Sequence, residues 1–319
     1  MRTINKEKII ENCGHVVVLK GGSSSEREIS LLSGEAVYQK LLEIGVNVSV
    51  LDVGDTIVAD LENLKPDLAL IMLHGQGGED GTIQGLLELL KIPYSGSGVL
   101  ASALAMDKVK SKLIWQCMGL NAADYVKLNE ATDWQALIDD FEVAVVKPVN
   151  GGSSLGIAIV KDAASLQKQF ELASEFDSEV MAEKFVVGKE FTVGVIGDQL
   201  LPTAQVRTSR EFYDFDAKYI DERTEIICPA LLSGKEQIEL NELARAAYTS
   251  LGCEGLARVD VMQDQDGAFY LLELNTIPGM TAHSFVPIAA KQAGINFGNL
   301  LLTIIELEQT VKLKDGNYK

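Results

Sequence analysis

The chain has 319 residues, 47% hydrophobic and 23% charged, the balance of a globular protein long enough for two or three domains. Its 46 acidic against 28 basic residues give a net charge of −18, which excludes a general nucleic-acid or anionic-membrane surface. Any anionic ligand must be met by locally placed lysines and arginines.

The N-terminal stretch MRTINKEKIIENCGHVVVL is too interrupted for a signal sequence, and no segment supplies roughly 18 uncharged apolar residues, so a cytoplasmic protein without a membrane partner is expected. Cys13, Cys117, Cys228 and Cys253 form no CxxC pair and suggest neither a disulfide framework nor a zinc cluster. The first third then alternates strand and helix: HVVVLKGG, SEREISLLSGEAVYQKLLEIG, VNVSVLDV, PDLALIMLHG, TIQGLLELLKI, IPYSG and the helical run VLASALAMDKVKSKLIWQCMG. This rhythm predicts a doubly wound α/β layer with parallel strands and ligands at their carboxyl ends, where KGGSSSERE and LHGQGGEDG fall. In SSEREIS, Ser25 and Glu28 have capping-box spacing, leaving Glu26 in the first turn, where it could receive an ammonium group. His74 is a lone histidine at a strand end, a packing or capping residue by default. GSGVLA (96–101) matches a dinucleotide fingerprint, but nothing acidic lies about 20 residues on, and a tight turn accounts for its glycines.

From residue 121 the pattern changes to ADYVKL, DWQALIDDF, EVAVVKPV, GIAIVKD, AASLQKQFELASEF and EVMAEKFVV, which predicts a small antiparallel sheet carrying helices. VVKPVNGGSSLGIAIV sets Lys147 at a strand end before a loop of glycines and serines, a set of donors that suits nucleotide phosphates. The same letters GSSLG match a nucleophile elbow with Ser154 at the reactive position, but that elbow leads into a helix, whereas IAIV favours a strand. A hairpin turn without a ligand is the plain alternative.

After GKE come a hairpin turning at Gly197-Asp198, the polar aromatic loop TSREFYDFDAKYIDER, a helix over KEQIELNELARAAYTSLG and a second hairpin, GLARVDVMQDQDGAFYLLELNT. A turn at Asp266-Gly267 sets Asp260 opposite Glu273 and Arg258 opposite Asn275, with Leu272 and Leu274 on the other face. Two carboxylates facing across strands repel unless neutralised, and oxygen ligands suit a hard divalent cation such as magnesium. A solvated polar face on an edge hairpin is the alternative.

The stretches GGSSSEREISLLSG, LHGQGGEDGTIQGLLELLKIPYSGSGVLASALAMDK, VVKPVNGGSSLG, EKFVVGKEFTV, FYDFDAKY, GLARVDVM and LLELNTIPGMTAHS together resemble the D-alanine:D-alanine ligases of the ATP-grasp superfamily over nearly the whole chain. The resemblance implies an ATP-grasp fold of three domains: an N-terminal α/β domain (1–107), a central antiparallel lid domain (108–187) and a C-terminal mixed or antiparallel catalytic domain (188–319). It implies ligation of two D-alanines through a D-alanyl phosphate, feeding peptidoglycan precursor synthesis, with ATP as substrate and Mg2+, or Mn2+, as metal. Asp260, Glu273 and Asn275 would hold the metal. Lys108, Lys147, Ser154 and Lys218 would contact ATP phosphates, Glu183, Lys184, Phe185 and Val186 would read adenine, and Glu190 would hold the ribose. Arg258 and the Gly279 N–H would form the oxyanion hole; Glu26, Ser153 and Tyr219 would form a hydrogen-bonded trio. Glu26, His74, His283 and Ser284 would line the D-alanine sites. Tyr219 favours D-alanine over D-lactate, since depsipeptide-forming relatives commonly carry phenylalanine there. Two positions depart from many relatives: Gly151 replaces a glutamate and Phe215 a tyrosine, which bears on lid closure. Relatives are commonly homodimers. Another ATP-grasp carboxylate–amine ligase, a D-alanine:D-lactate ligase and a non-catalytic binding protein are the alternatives.

Overall fold

The computed structural model describes residues 4–152, 156–207 and 225–315. A short helix, α1 (Lys6–Asn12), leads into β1 (Val16–Gly21), followed by α2 (Arg27–Glu43), β2 (Val48–Val53), α3 (Ile57–Leu64), β3 (Leu68–Ile71) and α4 (Thr82–Leu89). The strands are parallel in the order β2-β1-β3, and Tyr94 adds a single parallel bridge to Ala69. Both faces are covered, because Val16 and Val18 belong to one core cluster while Val17 and Leu19 belong to another. The expected doubly wound layer is present.

Two local expectations in this part fail. Helix α2 has Glu26 in its N-cap position without a side-chain cap, so the Ser25–Glu28 capping box does not form. Ser24 does the bonding instead: its Oγ accepts from the Glu26 N–H (3.1 Å) and donates to the His74 carbonyl (2.6 Å). The expected single helix after Gly98 is two, α5 (Val99–Met106) and α6 (Lys108–Cys117). Asp107 breaks it by taking an extended conformation and capping α6, its Oδ1 accepting from Lys110 N–H at 2.8 Å.

The central segment gives β4 (Tyr125–Leu128), α7 (Trp134–Phe141), β5 (Ala144–Pro148), β6 (Ala158–Val160), α8 (Ala163–Ala173) and β7 (Val180–Lys184). Its sheet is antiparallel in the order β4-β7-β5-β6. Leu137, Phe141, Val146, Leu166 and Ala182 form a core drawn from this segment alone.

The third sheet is built on β8 (Gly188–Ile196), which turns at Gly197 into β9 (Gln199–Leu200), then β10 (Ala204–Arg207) and β11 (Glu225–Ile227). After α9 (Gly234–Ser250), capped by Ser233 and Glu236, come β12 (Leu256–Asp264) and β13 (Phe269–Asn275). The order is β11-β10-β8-β12-β13, every pairing antiparallel. Finally α10 (Phe285–Gln292) and α11 (Phe297–Asp315) meet at 103°, and Leu300, Leu301 and Ile304 share a core with Val16 and Val18. No single described helix is long and apolar enough to cross a membrane; that bent pair meets the length and composition alone.

The β12–β13 hairpin places Asp260 opposite Glu273 and Arg258 opposite Asn275, as expected, but by another route. The loop holds three residues rather than two: Asp264 pairs with Ala268, and Gly267 takes φ 92°. Asp264 Oδ1 caps the turn by accepting from the Asp266 and Ala268 N–H groups. That shifts the register by one residue through Val261, and a β-bulge at Leu272 restores it before Glu273. The core residues of β13 are therefore Phe269, Leu271 and Leu274, an interval of two followed by three, instead of Leu272 with Leu274.

Candidate functional site

Cross-strand pairing brings Asp260 and Glu273 to one face of the hairpin, each beside a cation. Arg258, two residues along the same strand, grips Asp260 through Nε (2.9 and 3.1 Å) and Nη2 (2.7 Å), a fork that a lysine could not reproduce. Thr192 on β8 donates its hydroxyl to Asp260 Oδ1, and Asn275 turns its amide nitrogen toward Oδ2 at 3.4 Å. The Arg258 guanidinium also lies 5.7 Å from the centre of the Phe285 ring. Lys108, at the first position of α6, reaches Glu273 at 3.5 Å and donates to the Gly151 carbonyl in the Gly-rich loop. Glu79, Lys108, Gly151, Gly152, Glu273 and Asn275 line one cleft. Among the described residues no three His, Cys, Asp or Glu side chains gather as a metal cage. Two carboxylates and an amide oxygen nevertheless fit a hard cation that takes its remaining ligands from water and phosphate.

The segment after β13 carries Gly279, and three buried side chains hold it: Glu79 and His74 from the loop after β3 and Ser33 from α2. Glu79 accepts from the Ile277 N–H (3.3 Å) and from Gly75 N–H (3.0 Å). His74 Nε2 bonds Ser33 Oγ at 3.0 Å, and that same hydroxyl accepts from the Met280 N–H at 3.3 Å. Gly279 lies between these anchors. A Cβ built there would stand 2.8 Å from Ser284 Oγ, so a larger residue would collide with the α10 N-cap. Ser284 Oγ in turn accepts from Thr281 N–H at 3.1 Å. Burial drives His74 down to about 4. Burial, reinforced by the neighbouring Glu26 carboxylate, pushes Glu79 up to about 8. Both side chains are thus uncharged at neutral pH. Glu26 packs against the Gly-rich loop so closely that a Cβ on Gly152 would lie 2.3 Å from its Oε2.

A second charged cluster lies behind the Gly-rich loop. Lys147, at the end of β5, meets Glu183 Oε2 on β7, and Lys112 of α6 binds Glu183 Oε1 at 2.9 Å. Lys112 and Glu183 are wholly buried. Burial alone would raise Glu183, but the two ammonium groups hold its carboxyl below the ordinary range. Lys184 is exposed, Phe185 and Val186 are half-buried, and Glu190 sits on β8 opposite Met262.

Glu26, His74, Lys108, Arg258, Asp260, Glu273, Asn275, Gly279 and Ser284 thus surround the hairpin face and the segment after it, while Lys147 and Glu183 form the adjoining cluster. His283 is exposed. Ser153, Ser154, Phe215, Lys218 and Tyr219 lie outside the described residues. Sequence reading missed Ser33, Glu79 and Lys112. Glu79 stands in the singled-out run LHGQGGEDG, and an acid among glycines at a strand end was a usable signal. Lys112 gave none, since a lysine in a helix normally reads as solvent-facing.

A family model described as the C-terminal part of D-ala D-ala ligase matches residues 114–306, and one for the N-terminal part matches residues 52–97. The chain belongs to the D-ala D-ala ligase family. A D-alanine--D-alanine ligase of Saccharophagus degradans is 48% identical over 293 residues, covering 92% of this chain and 93% of the relative. Among solved structures, a D-alanine--D-alanine ligase from Bacillus anthracis superposes with TM-score 0.86 at 37% identity, over 95% of this chain and all of that one. A D-alanine--D-alanine ligase from Bacillus anthracis complexed with ATP gives 0.84 at 34% identity, with the same coverage of both chains. These ligases share the ATP-grasp fold, and the three sheets described above are its frame in this member of the family.

Proposed function

We propose that this member of the family joins two D-alanines to D-alanyl-D-alanine, with ATP converted to ADP and phosphate. The observation that carries the reading is the hairpin face on which Asp260 and Glu273 oppose each other beside Lys108 and Arg258. The carboxylate of the first D-alanine attacks the γ-phosphorus of ATP, giving an acyl phosphate and ADP. The amine of the second attacks that carbonyl, and the tetrahedral centre expels phosphate. Glu26 receives the first ammonium group. Arg258 and the Gly279 N–H donate to the oxygen on which charge develops, and they are held before that charge appears. Lys108, Lys147 and Lys218 meet the phosphates, Ser154 adds a donor, Glu183 to Val186 read adenine, and Glu190 binds the ribose. Ser284 orients the second carboxylate, with His74 and His283 near the amino-acid sites. The trio Glu26, Ser153 and Tyr219 closes the site against water. Asp260, Glu273 and Asn275 would hold Mg2+ or Mn2+, which would supply neutralisation of phosphate charge.

We propose the division 1–107, 108–187 and 188–319, supported over residues 128–182 by their separate core, while α6 of the central part packs on the third. By family resemblance we propose a cytoplasmic homodimer. The decisive assay supplies ATP, magnesium and D-alanine and reads phosphate release together with the dipeptide, with D-lactate as competitor. Phosphate release with another acid and none with D-alanine would move the chain to another carboxylate–amine specificity. Glu273→Gln should lose at least about a hundredfold in kcat while unfolding cooperatively; full activity would remove the metal role.

A further inference from the structure

Lys112 has no part in the reaction as proposed, yet it is among the largest fully buried side chains of the molecule. Its ammonium spends its donors on two elements: Glu183 Oε1 of β7 at 2.9 Å and the Leu271 carbonyl of β13 at 3.0 Å. A buried lysine is costly unless paired, and a hydrophobic residue of similar volume would avoid that cost. The bonds it makes end at the carboxylate assigned to the base and at the residue preceding the Leu272 bulge. Leu271 is held from the same side by its N–H bond to the Asn121 carbonyl (2.8 Å), so the strand just ahead of Glu273 is fixed at both backbone atoms. Glu183 Oε2 is buried and ion-pairs with Lys147, so the carboxylate is gripped at both oxygens, by Lys112 from α6 and by Lys147 from β5.

We propose that Lys112 is a positioning residue: it aims Glu183 at the nucleotide base and ties that carboxylate to the bulge that brings Glu273 opposite Asp260. This rests on the reading of Glu183 as the residue that recognises adenine. Held at Oε1 by Lys112 and at Oε2 by Lys147, the carboxylate is fixed in one orientation, and an amino group on the purine would meet its remaining lone pairs. A base with a carbonyl oxygen at that position would face an acceptor with an acceptor.

The test is ATP against GTP selectivity, measured as the ratio of kcat/KM with D-alanine saturating, in wild type, Lys112→Met, Glu183→Gln and the double variant. Lys112→Met should lower the ratio roughly tenfold and raise KM for ATP while leaving KM for D-alanine within about twofold. In the Glu183→Gln background the same substitution should change the ratio little, because the two act as one unit. A Lys112→Met protein that melts earlier but keeps wild-type selectivity and KM for ATP would overturn the proposal and leave Lys112 a packing residue. If Glu183→Gln itself leaves selectivity unchanged, the reading of Glu183 falls; if it lowers selectivity and Lys112→Met does not, only the role of Lys112 falls. Should Lys112→Met fail to fold, Lys112→Gln takes its place: reduced selectivity supports positioning, and wild-type selectivity overturns it.

Discussion

At the scale of single residues, the site depends on groups whose charge is suppressed as much as on those whose charge is displayed. Glu79 is the clearest case, a buried carboxyl bonded to two backbone N–H groups and crowded by Glu26. Its folded pKa, about 8, lies above the ordinary 4.5, so the folded protein binds the extra proton between those values. Stability from this group is therefore complete below pH 4.5 and is lost as pH rises through about 8. His74 acts at the other end: its pKa falls from 6.5 to about 4, so its contribution is present above 6.5 and lost as pH falls toward 4. Glu79→Gln should cost a hydrogen bond at every pH, since an amide nitrogen cannot accept from the second N–H. It should also flatten the decline of the urea midpoint between pH 5 and 8. An unchanged slope would mean that Glu79 is ionised in the native state. The Gly279 N–H depends on this anchor, so Glu79→Ala should lower kcat by about 10- to 100-fold. A loss confined to KM would argue against the positioning of that amide.

At the scale of elements, small devices set the register of the chemistry. Asp107 ends one helix and begins the next, which puts Lys108 at the first turn of α6 facing Glu273. Asp107→Ala should destabilise the protein by about 0.5–2 kcal/mol through the lost cap. It should also raise KM for ATP, whereas Asp107→Asn keeps both near wild type; equal behaviour of the two variants would exclude the capping explanation. The sequence could not show this break, because Asp107 lies within an unbroken helical pattern and a cap differs from an exposed helical residue only by its backbone angles. The hairpin teaches the same lesson. Alternation predicted the Asp260–Glu273 pairing correctly, but a three-residue loop and a compensating bulge produce it, and strict period-two counting cannot register two offsetting insertions. What remained legible was what local chemistry dictates: parallel strands from continuous aliphatic runs, turns from glycines, and convergent polar residues at strand ends. Lys112 and Ser33 were hidden, because their partners lie far off in the sequence, on β7 and β13 for Lys112 and in the segments after β3 and β13 for Ser33.

At the scale of the whole molecule, the first and third parts are bonded by apolar packing, and the central sheet is tied by charge to α6, which packs on the third part. Val16 and Val18 of the first sheet share one core with Leu300 and Ile304 of the last helix. The central sheet keeps a core of its own and is tied by polar contacts to α6, Lys112 with Glu183 and Lys108 with the Gly151 carbonyl, while α6 itself packs into the third part's core through Trp115. An overall charge of −18 works against an anionic nucleotide, so these buried lysines must supply locally what the surface repels. A bound nucleotide would bridge the same two bodies and should stabilise the central sheet most, since that sheet has the weakest apolar link to the others. Hydrogen exchange followed by mass spectrometry, with and without ADP and magnesium, checks this. Amides of β5 and β7 should slow by about tenfold or more on binding, while those of β1 and β12, already shielded by the shared cores, should change little. Equal slowing across all three sheets would show that the molecule opens as one body, and would remove the distinction between a central sheet tied on by charge and a frame held by packing.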